Sequence, residues 1–189
     1  MLKIAVLVSG GGTNLQAIID AITNQQLQAQ LVSVIADREC YGLTRAASAG
    51  IVTHLVDRKV AKLKLSQEIS ALIPHDCDLI VLAGFLSILD SQFIQQWSGK
   101  IINIHPSLLP KFGGSGMWGM NVHHAVVAAG ETESGCTVHY VTEEIDGGDI
   151  ILQSKVPVFG HDSAEDVQKR VLAVEHSTLV AAIKMEYGK

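Results

Sequence analysis

The sequence predicts an α/β fold, a doubly wound and mostly parallel sheet with an antiparallel hairpin near its C-terminus. Three observations lead there. Short apolar runs alternate with helix-period stretches from the first residues onward, which is how a parallel sheet with crossover helices reads along a chain. The first run ends in a glycine turn that opens directly into a helical pattern. Two later β-type runs flank the turn sequence EEIDGGD, as the arms of a hairpin do.

Residues 3–9 read as the first strand and 14–23 as the first helix. Residues 31–37 form the second strand, 41–49 a short helix and 52–56 the third strand. Across 62–73, Leu63, Leu65, Ile69, Leu72 and Ile73 fall on one helical face. Residues 79–83 and 101–105 are further buried strands, separated by a helix over 91–97. The pattern then changes after Pro110, where residues 112–119 hold four glycines in eight positions and are expected to form a mobile loop. A helix over 122–129 leads to the hairpin arms at 136–141 and 150–158. Ser163 opens the last helix, with Asp166 three residues on as a capping-box partner.

The chain has 189 residues, of which 48% are hydrophobic, enough for one core, so a single domain over 1–189 is expected. Charged residues make up 17% and the net charge is −5, so no basic surface is available to track long nucleic acid. Cys40, Cys77 and Cys136 are odd in number and far apart, with no C-x-x-C pair and no His at finger spacing. No metal is expected, and a reducing cytoplasm suits such cysteines. The N-terminal MLKIAVLVSGGG reads as a buried strand rather than a signal peptide. No apolar stretch reaches the roughly 18 residues of a membrane helix.

Two places carry chemistry. Ser9, Gly10, Gly11, Gly12, Thr13 and Asn14 sit between a strand and a helix, where backbone N–H groups and the helix dipole favour an anion. A plain capped turn would use the same residue types. The stricter dinucleotide pattern needs glycine where Leu15 stands, and a P-loop needs Gly-Lys-Ser/Thr, so a phosphate monoester fits better. Asp37, at the end of the second strand, keeps a ribose-binding role for a dinucleotide open. Asn103 and His105 are two apart in a strand and share a face, and Pro106 follows them. Asp146 lies in the hairpin turn and can swing to the same region. An amide donor, an imidazole and a carboxylate suit attack on a carbonyl by an external amine, with no Ser or Cys nucleophile needed.

At these residues the chain resembles the folate-dependent formyltransferases. IINIHPSLLPKF, residues 101–112, is similar to that family's N-x-H-P-S-L-L-P signature, and SGGGTNLQ, residues 9–16, to a phosphate loop found in the branch acting on a phosphorylated sugar. VHYVTEEIDGGDIILQSKVPV resembles the segment with the family's catalytic Asp, and LAGFLSIL its folate-contacting strand and loop. The resemblance covers almost the whole chain. It implies a Rossmann-like formyltransferase fold and transfer of a formyl group from 10-formyltetrahydrofolate to the amine of 5'-phosphoribosylglycinamide in purine synthesis. It further implies that Asn103 and His105 stabilise and protonate a tetrahedral oxyanion, and that Asp146 orients His105 and a water. Gly12, Thr13 and Asn14 are expected to cradle the ribose phosphate, and Glu175 to meet the glycinamide end. Leu86, Ser87, Ile88, Leu89 and Asn103, with Val141, Ile145 and Lys62, are the implied folate contacts, largely through backbone groups. His139 is expected to face the site from the hairpin strand. The partners implied are small molecules, with no nucleic acid or membrane, and the protein is expected to be a cytoplasmic monomer or homodimer.

The chain departs from the family pattern in three places. Ser87 stands where an Arg is common, the stretch before Leu82 is shortened around Lys62, and GGSGMWGMNVHHAV lengthens the segment after Phe112, which is expected to fold over the site. Hydrolysis of 10-formyltetrahydrofolate is the rival activity, using the same Asn, His and Asp on water. An extra N-terminal domain is usual for that activity, whereas this sequence begins at the first strand. Formylation of an initiator tRNA would call for a basic C-terminal domain, and a non-catalytic nucleotide-binding module would tolerate loss of Asn103.

Overall fold

The computed structural model describes residues 1–187. They form two compact units, residues 1–102 with Tyr187 and residues 103–186. The strands follow the order β3-β2-β1-β4-β5-β6-β7 in a seven-stranded sheet.

The first unit contains β1 (Leu2–Val8), α1 (Thr13–Thr23), β2 (Ala29–Ala36), α2 (Tyr41–Ser48), β3 (Thr53–Leu55), α3 (Arg58–Ala61), α4 (Leu65–Leu72), β4 (Leu79–Leu82), α5 (Ser91–Gln96) and the start of β5 (Ile101–His105). β1 pairs in parallel with β2 and β4, and β2 with β3. Ile4, Ala5, Val6, Leu7 and Val8 are all fully buried. An unbroken apolar run of this kind marks a central parallel strand covered on both faces.

The second unit holds the end of β5, then α6 (Met120–Ala128), β6 (Glu133–Tyr140), β7 (Ile150–Pro157) and most of α7 (Ala164–Tyr187). β6 and β7 run antiparallel from Glu133 opposite Pro157 to His139 opposite Ile150, with a register shift between Val138 and His139. The expected capping box closes α7: Asp166 accepts from the Ser163 N–H at 3.0 Å, and the Asp166 N–H donates to Ser163 Oγ at 3.2 Å.

The helix expected over 62–73 is broken. A short α3 begins earlier, at Arg58, because the Asp57 carboxylate accepts from the Lys59 N–H at 2.8 Å and caps it. Lys62 then takes φ 49°, a left-handed conformation that ends the helix. A 3-10 turn over Lys62–Lys64 follows, and Leu63 is exposed instead of joining the apolar face. Leu65, Ile69 and Ile73 are buried as expected. β6 begins at Glu133, three residues before the expected start.

Candidate active site

β5 ends at His105, the residue before Pro106. Its His105 is buried and Asn103 half-buried. In the same unit, Asp146 brings Oδ2 to 3.6 Å from His105 Nδ1 and Oδ1 to 3.6 Å from His139 Nε2. Both contacts are too long for direct hydrogen bonds. His105 Nε2 lies 2.8 Å from the Phe112 carbonyl, which can only accept, so that nitrogen carries a hydrogen. Asp146 Oδ2 also accepts from the Gly114 N–H at 2.9 Å.

The backbone explains the aim of these groups. Phe112 and Asp146 both have φ 55°, unusual for residues with side chains, and such strain gathers where structure over-determines a functional geometry. Gly113 permits the approach, since a Cβ there would stand 2.5 Å from Leu109 Cδ2 and 3.3 Å from Asp146 Cβ. The turn after β5 is stapled down by Thr137, whose hydroxyl donates to the Ser107 carbonyl at 2.7 Å and accepts from the Leu109 N–H at 3.1 Å. Gln153 on β7 adds donations to the Leu109 carbonyl and to Thr137 Oγ1, each at 2.9 Å.

His139 holds Asn103. Burial is the main influence on this imidazole and lowers its pKa, outweighing the Tyr140 carbonyl and Asp146, which favour the charged form. The neutral ring donates from Nδ1 to the Tyr140 carbonyl at 2.9 Å, so its Nε2 lone pair accepts from the Asn103 amide at 3.2 Å. One amide hydrogen is thereby engaged, and the same nitrogen keeps a second for another acceptor. Strand alternation places Thr137 and His139 on one face of β6. That spacing was the sequence signal for the staple, which reading the motifs alone does not reveal. Glu175 is buried on α7, Val141 is half-buried, and Ile145 is exposed.

The other expected site residues belong to the first unit. Gly12, at φ 71°, is the N-cap of α1, and its carbonyl accepts from the Gln16 N–H at 2.9 Å. Thr13 is half-buried and Asn14 buried in the first turn. Among the proposed folate contacts, Leu86 and Ile88 are exposed, Leu89 is buried, Ser87 is half-buried and Lys62 is exposed. The Leu86 N–H is already engaged, donating to Ser9 Oγ at 2.8 Å.

Asp37 is not available to a ribose. Its side chain is fully buried and receives two bonds from the Arg38 guanidinium, at 2.9 and 2.8 Å, with a further one from the Ser87 hydroxyl. Burial alone raises a carboxylate's pKa, but the donors Arg38, Ser87 and Ser9 outweigh it and hold Asp37 below the usual value. No group of three or more His, Cys, Asp or Glu among the described residues is arranged to hold a metal ion. No helix among them is long and apolar enough to cross a membrane.

A mostly parallel α/β sheet, with an amide donor and two imidazoles grouped around one carboxylate, has the character of an enzyme working on a carbonyl carbon. The chain belongs to the formyl transferase family, whose sequence profile matches residues 2–183. It is 45% identical over 188 residues to phosphoribosylglycinamide formyltransferase of Haemophilus influenzae, covering 97% of this chain and 86% of that one. The crystal structure of phosphoribosylglycinamide formyltransferase from Brucella melitensis superposes with a TM-score of 0.88 at 39% identity, covering 98% and 95% of the two chains. A formyltetrahydrofolate deformylase from Pseudomonas syringae pv. tomato is also similar, with a TM-score of 0.86 at 29% identity, but this chain covers 61% of it.

Proposed function

We propose that the protein transfers the formyl group of 10-formyltetrahydrofolate to the amine of 5'-phosphoribosylglycinamide, in the cytoplasm, as a step of purine synthesis. The observation that carries this reading is the placement of Asp146 within 3.6 Å of both His105 and His139, with His139 holding the Asn103 amide. On this reading the substrate amine attacks the formyl carbon and the C–N bond forms as the carbonyl becomes an oxyanion. The second hydrogen of Asn103 Nδ2 and a proton from His105 stabilise that oxygen. The amine then loses a proton through a water ordered by Asp146, the oxygen returns its proton to His105 and re-forms the C=O as the bond to the folate nitrogen breaks, and the proton lost by the amine passes to that nitrogen. The loop Gly12, Thr13 and Asn14 meets the ribose phosphate and Glu175 the glycinamide end. Leu86, Ser87, Ile88, Leu89, Val141, Ile145 and Lys62 meet the folate.

The test incubates the protein with 10-formyltetrahydrofolate, with and without 5'-phosphoribosylglycinamide. Tetrahydrofolate released only when the amine is present supports the transferase. Equal release without it assigns the hydrolase, and no release in either arm removes both.

A further inference from the structure

The glycine turn after β1 is held from behind by α2. The Gly42 N–H donates to the Gly10 carbonyl at 3.0 Å, and Arg45 Nε donates to the Gly11 carbonyl at 2.8 Å. In a trans peptide the carbonyl and the following N–H point in opposite directions. Drawing the carbonyls of Gly10 and Gly11 toward α2 therefore turns the N–H groups of Gly11 and Gly12 away from it. The space beside this turn is open, since a Cβ at Gly10 or Gly11 would meet nothing within 4 Å. On the α2 side there is no such room. A Cβ at Gly12 would stand 2.6 Å from Gly42 Cα and 3.4 Å from Arg45 Cδ, so the two segments pack backbone to backbone.

Arg45 is itself fixed. A terminal nitrogen donates to Gln16 Oε1 at 3.2 Å, and the guanidinium carbon lies 4.8 Å from the centre of the Tyr41 ring. Gln16 in turn donates to Asp20 at 2.8 Å, which anchors the contact one turn further along α1. Both oxygens that Arg45 grips belong to neutral groups, so neither cancels its charge. The result is a rigid cation directly behind a ring of N–H donors at the start of an 11-residue helix, where a fixed positive charge reinforces the helix dipole.

We infer that Arg45 is a positioning residue for phosphate recognition: by gripping the Gly11 carbonyl and Gln16 it aims the loop's N–H groups at a phosphate monoester and adds positive potential behind them. This rests on the phosphate role proposed for Gly12, Thr13 and Asn14, and deepens it. Arg45 makes no covalent or proton-transfer contribution, so its effect falls on binding of the phosphorylated substrate and leaves the chemical step alone.

The test compares wild type with Arg45→Gln and Arg45→Lys in steady-state kinetics, using 5'-phosphoribosylglycinamide and the same compound without its phosphate. Calorimetric titration with ribose 5-phosphate is run in parallel. Arg45→Gln is expected to raise KM for the phosphorylated substrate about 10- to 100-fold, the scale of a hydrogen bond to a charged group. Turnover at saturation, KM for the folate and kcat/KM for the phosphate-free compound stay close to wild type. Arg45→Lys, which keeps the charge and loses the fork, falls between the two. Equal losses with both compounds would reduce Arg45 to a structural prop, and an unchanged KM would remove the role altogether. If wild type proves inactive with these substrates, the functional reading falls by itself. The titration still decides on Arg45, because weaker ribose 5-phosphate binding in Arg45→Gln upholds its role and unchanged or absent binding ends it.

Discussion

Asp146 faces His105 across 3.6 Å, Oδ2 to Nδ1, while the opposite nitrogen of that ring donates to the Phe112 carbonyl. The imidazole therefore has a partner on each edge, the Asp146 carboxylate on one and the Phe112 carbonyl on the other. Replacing Asp146 by Asn keeps the shape and removes the carboxylate proposed to orient the ring and a water. Turnover of the Asp146→Asn enzyme is expected to fall about 100-fold or more, the usual size of an acid–base contribution. Asn103→Ala and His105→Ala, each removing a proposed oxyanion donor, should cost about 10²- to 10³-fold. Stopped assays at saturating substrate measure all three, and near wild-type turnover in any of them would remove that residue from the mechanism.

In the proposed mechanism His139 acts through Asn103, whose amide it holds. With its Nε2 lone pair gone, the Asn103 amide is free to rotate, and the hydrogen left for the oxyanion is no longer aimed. His139→Phe is expected to lower kcat about tenfold, the value of one lost hydrogen bond, with KM for either substrate nearly unchanged. In an Asn103→Ala background the same change should cost little more, because the two losses share one interaction. Additive losses in the double variant would show that His139 works by another route.

Much of this arrangement is legible in the sequence. The period-2 spacing of Asn103 and His105 places them on one face, the apolar run of β1 announces a central parallel strand, and Ser163 with Asp166 announces the start of α7. What escapes is whatever depends on backbone carbonyls or on residues brought together from afar. The partner of His105 is a main-chain oxygen at Phe112, set by a left-handed residue that carries no compositional mark. Asp37 looks like a ribose ligand by position, yet its lone pairs are spent on Arg38 and Ser87, 50 residues away. Lys62 breaks a helix that its neighbours' periodicity supports, because local capping by Asp57 wins over a weak propensity.

The Asp37 cluster is a stability element with a testable hierarchy. Its carboxylate accepts from Arg38 and Ser87, and Ser9 in turn accepts from the Leu86 N–H. Asp37→Ala strands several part-buried donors and is expected to destabilise the fold by about 2–4 kcal/mol, whereas Ser87→Ala removes one bond and costs about 1 kcal/mol. Because Asp37 is held below its unfolded value of 3.8, its contribution is complete above that pH and fades as the pH falls through the folded value. Urea unfolding at pH 7 orders the two variants, and a larger loss in Ser87→Ala would overturn the assignment of Asp37 as the hub.

His123 on α6 sets a second pH limit, again on the acid side but beginning at a higher pH. The ring is 3% exposed and its Nδ1 has no hydrogen-bond partner among the described residues. Burial, reinforced by repulsion from His124 and then His105, lowers its pKa from 6.5 to about 4. A lowered histidine pKa means that the unfolded chain takes up the proton first as the solution is acidified. Stability is therefore intact above pH 6.5 and declines through the window down to about 4, by up to roughly 3 kcal/mol if His123 contributes fully. His139, also lowered, adds to the same slope. His123→Leu removes the titrating group and the stranded nitrogen together, so its unfolding free energy should fall less steeply between pH 6.5 and 4. Part of the slope should survive because His139 remains. Unfolding midpoints measured at half-unit steps across that window give the comparison, and parallel curves for wild type and His123→Leu would mean that His123 does not titrate there.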